Sequence, residues 1–358
     1  MLKKEEVGGV DIPARLTEWF QQRYPAAESA RVENFISPEI GYSSETLLFD
    51  LVRDIDGKKD SEALVVRLRP QGIPLFETYD LRKQYRIMDT LASSDIPVPK
   101  MITYEEDESI LGSPFYVMSK VNGQIPADNP PYHMTGWFAE QSPEEVRATW
   151  LSGVEKLAKV GRLNYSDYDL EFLNEPELGE TPILQHIQVY DELLEWGLDR
   201  SRQPLLESTL SWLRGNCPKD EPVALAWGDS RISNQIFQNA ECVACIDWEM
   251  ARLGNPIQDI AWWLVLDQCL STYIGIPRNE FVPSEVETLA HWEKFSGRKV
   301  ENLLYYKVFS AFCFSVIMAR LNRNSKASGE IPEDDLGEYE NLATTQLKAL
   351  FKEMGITL

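Results

Sequence analysis

The apolar residues of this 358-residue chain change their period once, and that change limits the available folds more than any other feature. Up to about residue 121 the pattern is one of short strands, at 32–36, 46–52, 64–68, 101–104 and 115–118. Two helical patterns interrupt it. At 11–24, Pro13 takes a first-turn position and Leu16, Trp19 and Phe20 fall at i, i+3, i+4. At 79–93 the marks are Leu81, Tyr85, Met88 and Leu91, with an end before Asp95 and the extended IPVP segment. The charged, turn-rich stretch DIDGKKDSE between the second and third strands predicts an antiparallel meander. Residues 121–133, VNGQIPADNPPYH, break the pattern with Pro, Gly and Asn. Beyond them the period is helical at 143–160, 183–199, 204–214, 259–270, 285–295, 303–321 and 338–353, with one strand, loop and strand between 223 and 247. The expectation is an α+β protein with a small antiparallel-sheet lobe, 1–121, and a larger, mostly helical lobe, 122–358.

Composition excludes some function classes. Lysine and arginine total 35 against 57 aspartates and glutamates, a formal charge of −22, which opposes a nucleic-acid partner or a polybasic membrane anchor. The five cysteines are an odd number and MLKKEEV lacks an apolar leader core, so a reduced, cytoplasmic setting is expected. The longest uncharged apolar run, 308–319, is short for a bilayer span and predicts a core helix.

The chemistry concentrates in residues 225–264. Asp229 is followed five residues on by Asn234, and Asp247 closes the strand that precedes it. Two carboxylates and a carboxamide on a loop and the neighbouring hairpin make an oxygen-rich set suited to Mg²⁺, which takes few protein oxygens alongside substrate phosphates. Asp and Asn are common in turns, but the ordered set reproduces the spacing of a kinase catalytic loop and its metal-binding Asp. Arg231 stands where a cation would neutralise charge on a transferred phosphoryl group.

On WGDSRISN (227–234), CIDWEMARLGNP (245–256) with Asp259, LVVRLRP (64–70) and LGSPFYVMSKVNG (111–123), the chain resembles the aminoglycoside phosphotransferase family, a branch of the bilobal protein-kinase-like fold. The resemblance implies ATP bound between the lobes, Asp229 as catalytic base, Arg231 beside it, and Asn234 and Asp247 as Mg²⁺ ligands. It puts Arg67 against the nucleotide phosphates, where an Arg makes planar bidentate contacts, and aligns Gln84 with the Glu that pairs with this cation in kinases. Strand alternation sets Val65, Arg67 and Arg69 on one face and Leu64, Val66 and Leu68 on the other. The phosphate-covering loop falls at 40–46, where Gly41 permits a tight turn and Ser43 and Ser44 are the donors, and the adenine-reading hinge at Met118, Ser119 and Val121. Where the family has His, this chain has Trp227, a change expected to affect packing more than chemistry. Asp259 is expected to anchor the catalytic loop. The implied acceptor is a hydroxylated small molecule, aminoglycoside-like or hydroxyacyl-CoA-like, with Trp248, Glu249 and Asp267 as candidate contacts.

Two other classes compete. Trp227, Gln84 and the glycine-poor loop suit a non-catalytic nucleotide-binding regulator. Cys242 and Cys245 form a CxxC, but strand alternation sends residues i and i+3 to opposite faces, which opposes a redox pair.

Overall fold

The β-rich part begins with a helix held at its start by a side chain. A computed structural model describes residues 6–7, 10–37, 45–70 and 72–356. The pair β1 (Glu6–Val7) and β2 (Val10–Asp11) leads into α1 (Ile12–Arg23), where the Asp11 carboxylate accepts from the Ala14 amide at 3.0 Å. There follow β3 (Ser29–Ile36), β4 (Glu45–Ile55), β5 (Lys58–Leu68), α2 (Leu81–Leu91), β6 (Met101–Glu105), the single turn α3 (Glu108–Leu111) and β7 (Phe115–Ser119). The five longer strands form an antiparallel sheet in the order β3-β4-β5-β7-β6.

The β4–β5 hairpin is longer than the apolar pattern indicates. Asp56 and Gly57, at φ 50° and 69°, close a two-residue turn, so the charged residues around them continue both strands. Leu64, Val66 and Leu68 face a core shared with Leu16, Trp19 and Phe20 of α1 and Phe115 of β7. Val65 on the opposite face is also buried, so that face is not uniformly basic.

The helical part contains α4 (Pro143–Arg162), α5 (Pro182–Gly197), α6 (Pro204–Gly215), β8 (Ala224–Ala226), β9 (Gln235–Gln238), β10 (Glu241–Cys245), β11 (Arg252–Gly254), α7 (Ile257–Cys269), α8 (Glu285–Ser296), α9 (Leu303–Ala327) and α10 (Leu342–Glu353). β9 pairs with β10, and β8 with β11. Capping explains where several helices begin: Ser142 and Glu145 form a capping box on α4, and Ser284 and Glu287 another on α8. α10 starts at Leu342 rather than 338 because Asn341 accepts from the Ala343 and Thr344 amides. α9 is long and apolar enough by composition to cross a bilayer, but 72% of its apolar window is buried, against α5, α6, α7 and α10. It is a core helix.

The chain divides into two compact units, residues 1–92 with 99–121, and residues 93–98 with 122–358. Residues 93–98 thus differ from the expected lobe assignment. The Pro97 carbonyl accepts from the Cys245 amide at 2.7 Å, and Asp95 pairs with Arg162 at 2.9 Å, both within the second unit.

Candidate active site

The loop after β8 turns sharply at Gly228, whose φ is +89° and where a Cβ would lie 2.4 Å from the Met250 carbonyl oxygen. Only glycine fits there. The turn delivers Asp229, whose carboxylate is gripped from three directions. Oδ1 accepts from the Trp262 indole N–H at 3.0 Å; Oδ2 accepts from Asn234 Nδ2 at 2.7 Å and from Arg231 Nε at 3.0 Å. Arg231 also pairs with Asp128, which in turn accepts from the Ser233 hydroxyl. Burial pushes the Asp229 carboxyl above its ordinary pKa, the Arg231 guanidinium opposes that shift, and the Asp247 charge adds to it. Arg231 is held protonated against burial by the facing carboxylates of Asp229, Asp128 and Asp247.

Helix α7 fixes the loop from below. Asp259 is almost fully buried. Its carboxylate accepts from the Trp227 amide at 2.8 Å and the Gly228 amide at 3.0 Å, and its carbonyl accepts from the Ser230 hydroxyl at 2.9 Å. Asp259 anchors the loop, as the family resemblance implied. Burial raises its pKa to about 6, with the two amides pulling the other way. A carboxyl whose folded-state pKa exceeds the unfolded value of about 3.9 favours folding most below that value, and the contribution is lost as pH rises through the folded pKa. Asp259→Asn lacks this titration. Its Tm deficit relative to wild type is therefore expected to narrow between pH 4.5 and 7, measured by thermal melts across that range; a constant deficit would contradict the raised pKa.

Asp247 sits in a left-handed backbone conformation, φ +61°, a strained state that functional positions often hold. The Ile246 amide donates to the Asn234 carbonyl at 3.0 Å. The Trp227 indole donates to the carbonyls of Ile246 and Asp247 at 3.1 and 3.2 Å. Asp229, Arg231, Asn234 and Asp247 therefore lie together, as their spacing requires. With Asn234 Nδ2 committed to the Asp229 side chain and carbonyl, the carboxamide oxygen is the end left for a cation. Hard oxygen donors plus like-charge repulsion between Asp229 and Asp247 fit Mg²⁺. Among the described residues no three His, Cys, Asp or Glu side chains group to hold a metal.

The model of the phosphotransferase enzyme family matches residues 44–294. The chain belongs to this family. Acyl-CoA dehydrogenase family member 10 of Mus musculus is 25% identical over 82% of this chain and 28% of its own length. Acyl-CoA dehydrogenase family member 11 of Homo sapiens is 30% identical over 57% of this chain and 25% of its own length. The chain thus spans between a quarter and a third of these curated relatives. Among solved structures, a Ralstonia eutropha protein named an aminoglycoside phosphotransferase superposes with a TM-score of 0.68 at 22% identity, covering 94% of this chain and 95% of that one. A thermostable mutant of aminoglycoside phosphotransferase APH(4)-Ia, in ternary complex with AMP-PNP and hygromycin B, gives 0.55 at 14% identity over 96% and 99%. The fold is the kinase-like one that the WGDSRISN and CIDWEMARLGNP segments indicated.

The other expected site residues divide by geometry. In the first unit, Arg67 lies directly opposite Tyr116 in the β5–β7 register and donates to the Thr46 hydroxyl at 2.7 Å. Gln84 is buried, and its carboxamide oxygen accepts from the Tyr116 hydroxyl at 3.1 Å. Tyr116 was missed by sequence reasoning because it falls inside an apolar strand. At the hinge, Met118 is buried, while Ser119 and Val121 are half-buried. The Ser119 and Lys120 amides donate to the Lys100 and Ala63 carbonyls, both at 2.9 Å, so neither is available to a nucleobase. Gly41, Ser43 and Ser44 lie outside the described residues.

Two candidate acceptor contacts are corrected. Trp248 has no exposed surface; it stacks on Trp227 at 5.3 Å and donates to the Cys245 carbonyl at 3.1 Å. Asp267 is 3% exposed and accepts from Tyr132 at 3.1 Å, His133 Nε2 at 2.8 Å and Arg278 at 2.6 Å. The Asn279 amide faces His133 Nδ1 at 3.3 Å, which puts the imidazole proton on Nε2. Burial pushes Asp267 upward, but His133 and Arg278 outweigh it and hold the carboxyl below its usual range. It is a structural hub. Glu249 is half-buried.

Cys242 and Cys245 do not face apart as strand alternation predicts, because a bulge between Cys242 and Ala244 resets the alternation. Both thiols are buried and interact, and burial pushes the Cys242 thiol well above its ordinary pKa. A buried thiol whose pKa is raised in this way makes a poor nucleophile.

Proposed function

We propose that this protein transfers the γ-phosphoryl group of Mg-ATP to a hydroxyl of a small molecule. The observation that carries the proposal is the Asp229 constellation: a carboxylate fixed by Arg231, Asn234 and Trp262, with Asp247 held beside Asn234 in a left-handed turn. In this reading the acceptor oxygen attacks the γ-phosphorus as the bond to the β-phosphate oxygen breaks. Asp229 orients the hydroxyl and takes its proton. Mg²⁺, held by Asp247 and the Asn234 carboxamide oxygen, would supply neutralisation of phosphate charge when bound. Arg231, already paired with Asp229 and Asp128, acts from that fixed position as a local positive charge. In the first unit, Arg67 is proposed to steady nucleotide phosphate, with Gln84 and Tyr116 as its surroundings. Positioning and electrostatics supply most of the acceleration in such reactions.

For the acceptor, the names of the curated relatives support a hydroxyacyl-CoA thioester over an aminoglycoside, because acyl-CoA dehydrogenase family members match this chain over most of its length. The test is phosphate transfer from Mg-ATP across a panel of hydroxyacyl-CoA thioesters, aminoglycosides and simple sugars, with ADP and phosphorylated acceptor quantified together. Equimolar ADP and phospho-hydroxyacyl product, abolished by EDTA, is the expected result. Transfer to an aminoglycoside alone would overturn the acceptor class. Mg-dependent ATP binding with no transfer to any acceptor would overturn the enzyme in favour of a nucleotide-binding regulator.

A further inference from the structure

Trp262 is named by none of the motifs that led to the site, yet its indole N–H donates to one of the two oxygens of the proposed base. It lies three residues after Asp259 on α7, so both side chains leave the same face of one helix. Asp259 takes the backbone amides of the catalytic loop, and Trp262 takes the carboxylate. The indole is only 5% exposed and meets Phe314 of α9 edge to face at 5.9 Å, which leaves it little freedom to turn.

The donors around Asp229 are distributed unequally. Oδ2 accepts two hydrogen bonds, from Asn234 and Arg231, which fills its two lone-pair directions. Among the described residues Oδ1 accepts one, from Trp262, which leaves it a lone-pair direction. The Asp229 side chain keeps 13% of its surface exposed, so a ligand can reach it. We propose that Trp262 is the positioning residue of Asp229, its indole N–H pinning the carboxylate so that Oδ1, beside the indole, is the oxygen that meets the acceptor hydroxyl. The proposal rests on Asp229 being the base. Without the indole the carboxylate keeps its donors on one oxygen only and can swing about its Cβ–Cγ bond, which displaces Oδ1 from the acceptor.

Trp262→Phe keeps an aromatic ring against Phe314 but removes the N–H together with the pyrrole half of the indole, so a double-mutant cycle is needed to separate the packing loss from the lost hydrogen bond. The expected result is a fall in kcat of about ten- to a hundredfold, the scale on which small misplacements act, with KM for ATP unchanged. The decisive comparison is a double-mutant cycle with Asp229→Ala. If Trp262 acts through Asp229, Trp262→Phe changes the residual rate of Asp229→Ala less than twofold, whereas a merely structural role would cost the same factor in both backgrounds. A readout independent of activity is the indole N–H resonance of Trp262 in ¹⁵N-labelled protein, which is expected to move when Asp229→Ala removes its acceptor. An unmoved resonance, or an equal cost in both backgrounds, overturns the proposal. If Asp229→Ala collapses turnover while Trp262→Phe is silent, the positioning role alone falls. If Asp229→Ala is fully active, the base assignment falls and takes the positioning role with it.

Discussion

Turnover in Asp229→Asn is expected to fall by at least about 10²-fold while Mg-ATP binding persists, since an acid/base group in a transition state contributes about 10²- to 10⁴-fold. The substitution does more than remove a proton acceptor. Oδ2 accepts from Asn234 Nδ2 and Arg231 Nε, and Oδ1 from Trp262 Nε1, so every partner of this side chain is a donor. An Asn side chain must turn its own NH₂ toward one of these groups, donor against donor. Arg231 also loses one of its two ion-paired carboxylates and keeps the other, Asp128. The loss should therefore appear in kcat and in kcat/KM for the acceptor, with nucleotide affinity nearly unchanged in equilibrium titration. Asp229→Ala, which introduces no opposing donor, separates the two contributions: a smaller loss than in Asp229→Asn would measure the cost of the mismatched amide. Retention of full transfer activity in both variants would remove Asp229 from the chemistry.

What was legible in the sequence was what lies close together along it. Asp229, Arg231 and Asn234 occupy one loop, and Asp247 follows after one hairpin, so spacing alone brings them together. The residues that complete the site come from farther away. Asp128 reaches Arg231 across 103 positions, and Trp262 reaches Asp229 across 33. A faint signal for Trp262 existed in its i, i+3 relation to Asp259 on a predicted helix. Nothing local marked Asp128, one polar residue in a loop rich in Pro and Asn. Strand alternation located the apolar face of LVVRLRP but failed at Cys242 and Cys245, where one bulged residue reverses the facing of those that follow. Trp248 and Asp267 were misplaced for a related reason. Position in the sequence does not state which way a side chain points, and both point into packed interior.

Trp227 offers the second large effect, because it joins packing to chemistry in one side chain. The indole is fully buried, stacks on Trp248 at 5.3 Å, and donates to the Ile246 and Asp247 carbonyls. Trp227→Ala removes that volume from between rigid neighbours, which costs about 3–5 kcal/mol for a buried aromatic. It also leaves the two carbonyls without this donor. Urea unfolding is expected to show a lowered midpoint with little change in slope. Trp227→Phe keeps most of the volume and forfeits the N–H, a net loss of about 1 kcal/mol. Its larger effect is expected on Mg²⁺ dependence. The indole holds the backbone of Asp247 in the left-handed state that presents its carboxylate, so without the N–H a higher Mg²⁺ concentration is needed for half-maximal transfer. Trp227→His restores a donor of the kind usual in the family but not the volume, and should regain the Mg²⁺ dependence more fully than the stability. Equal recovery of both would mean that the indole serves packing alone, and that Asp247 is held in its strained turn by the Asn234–Ile246 hydrogen bond without help from Trp227.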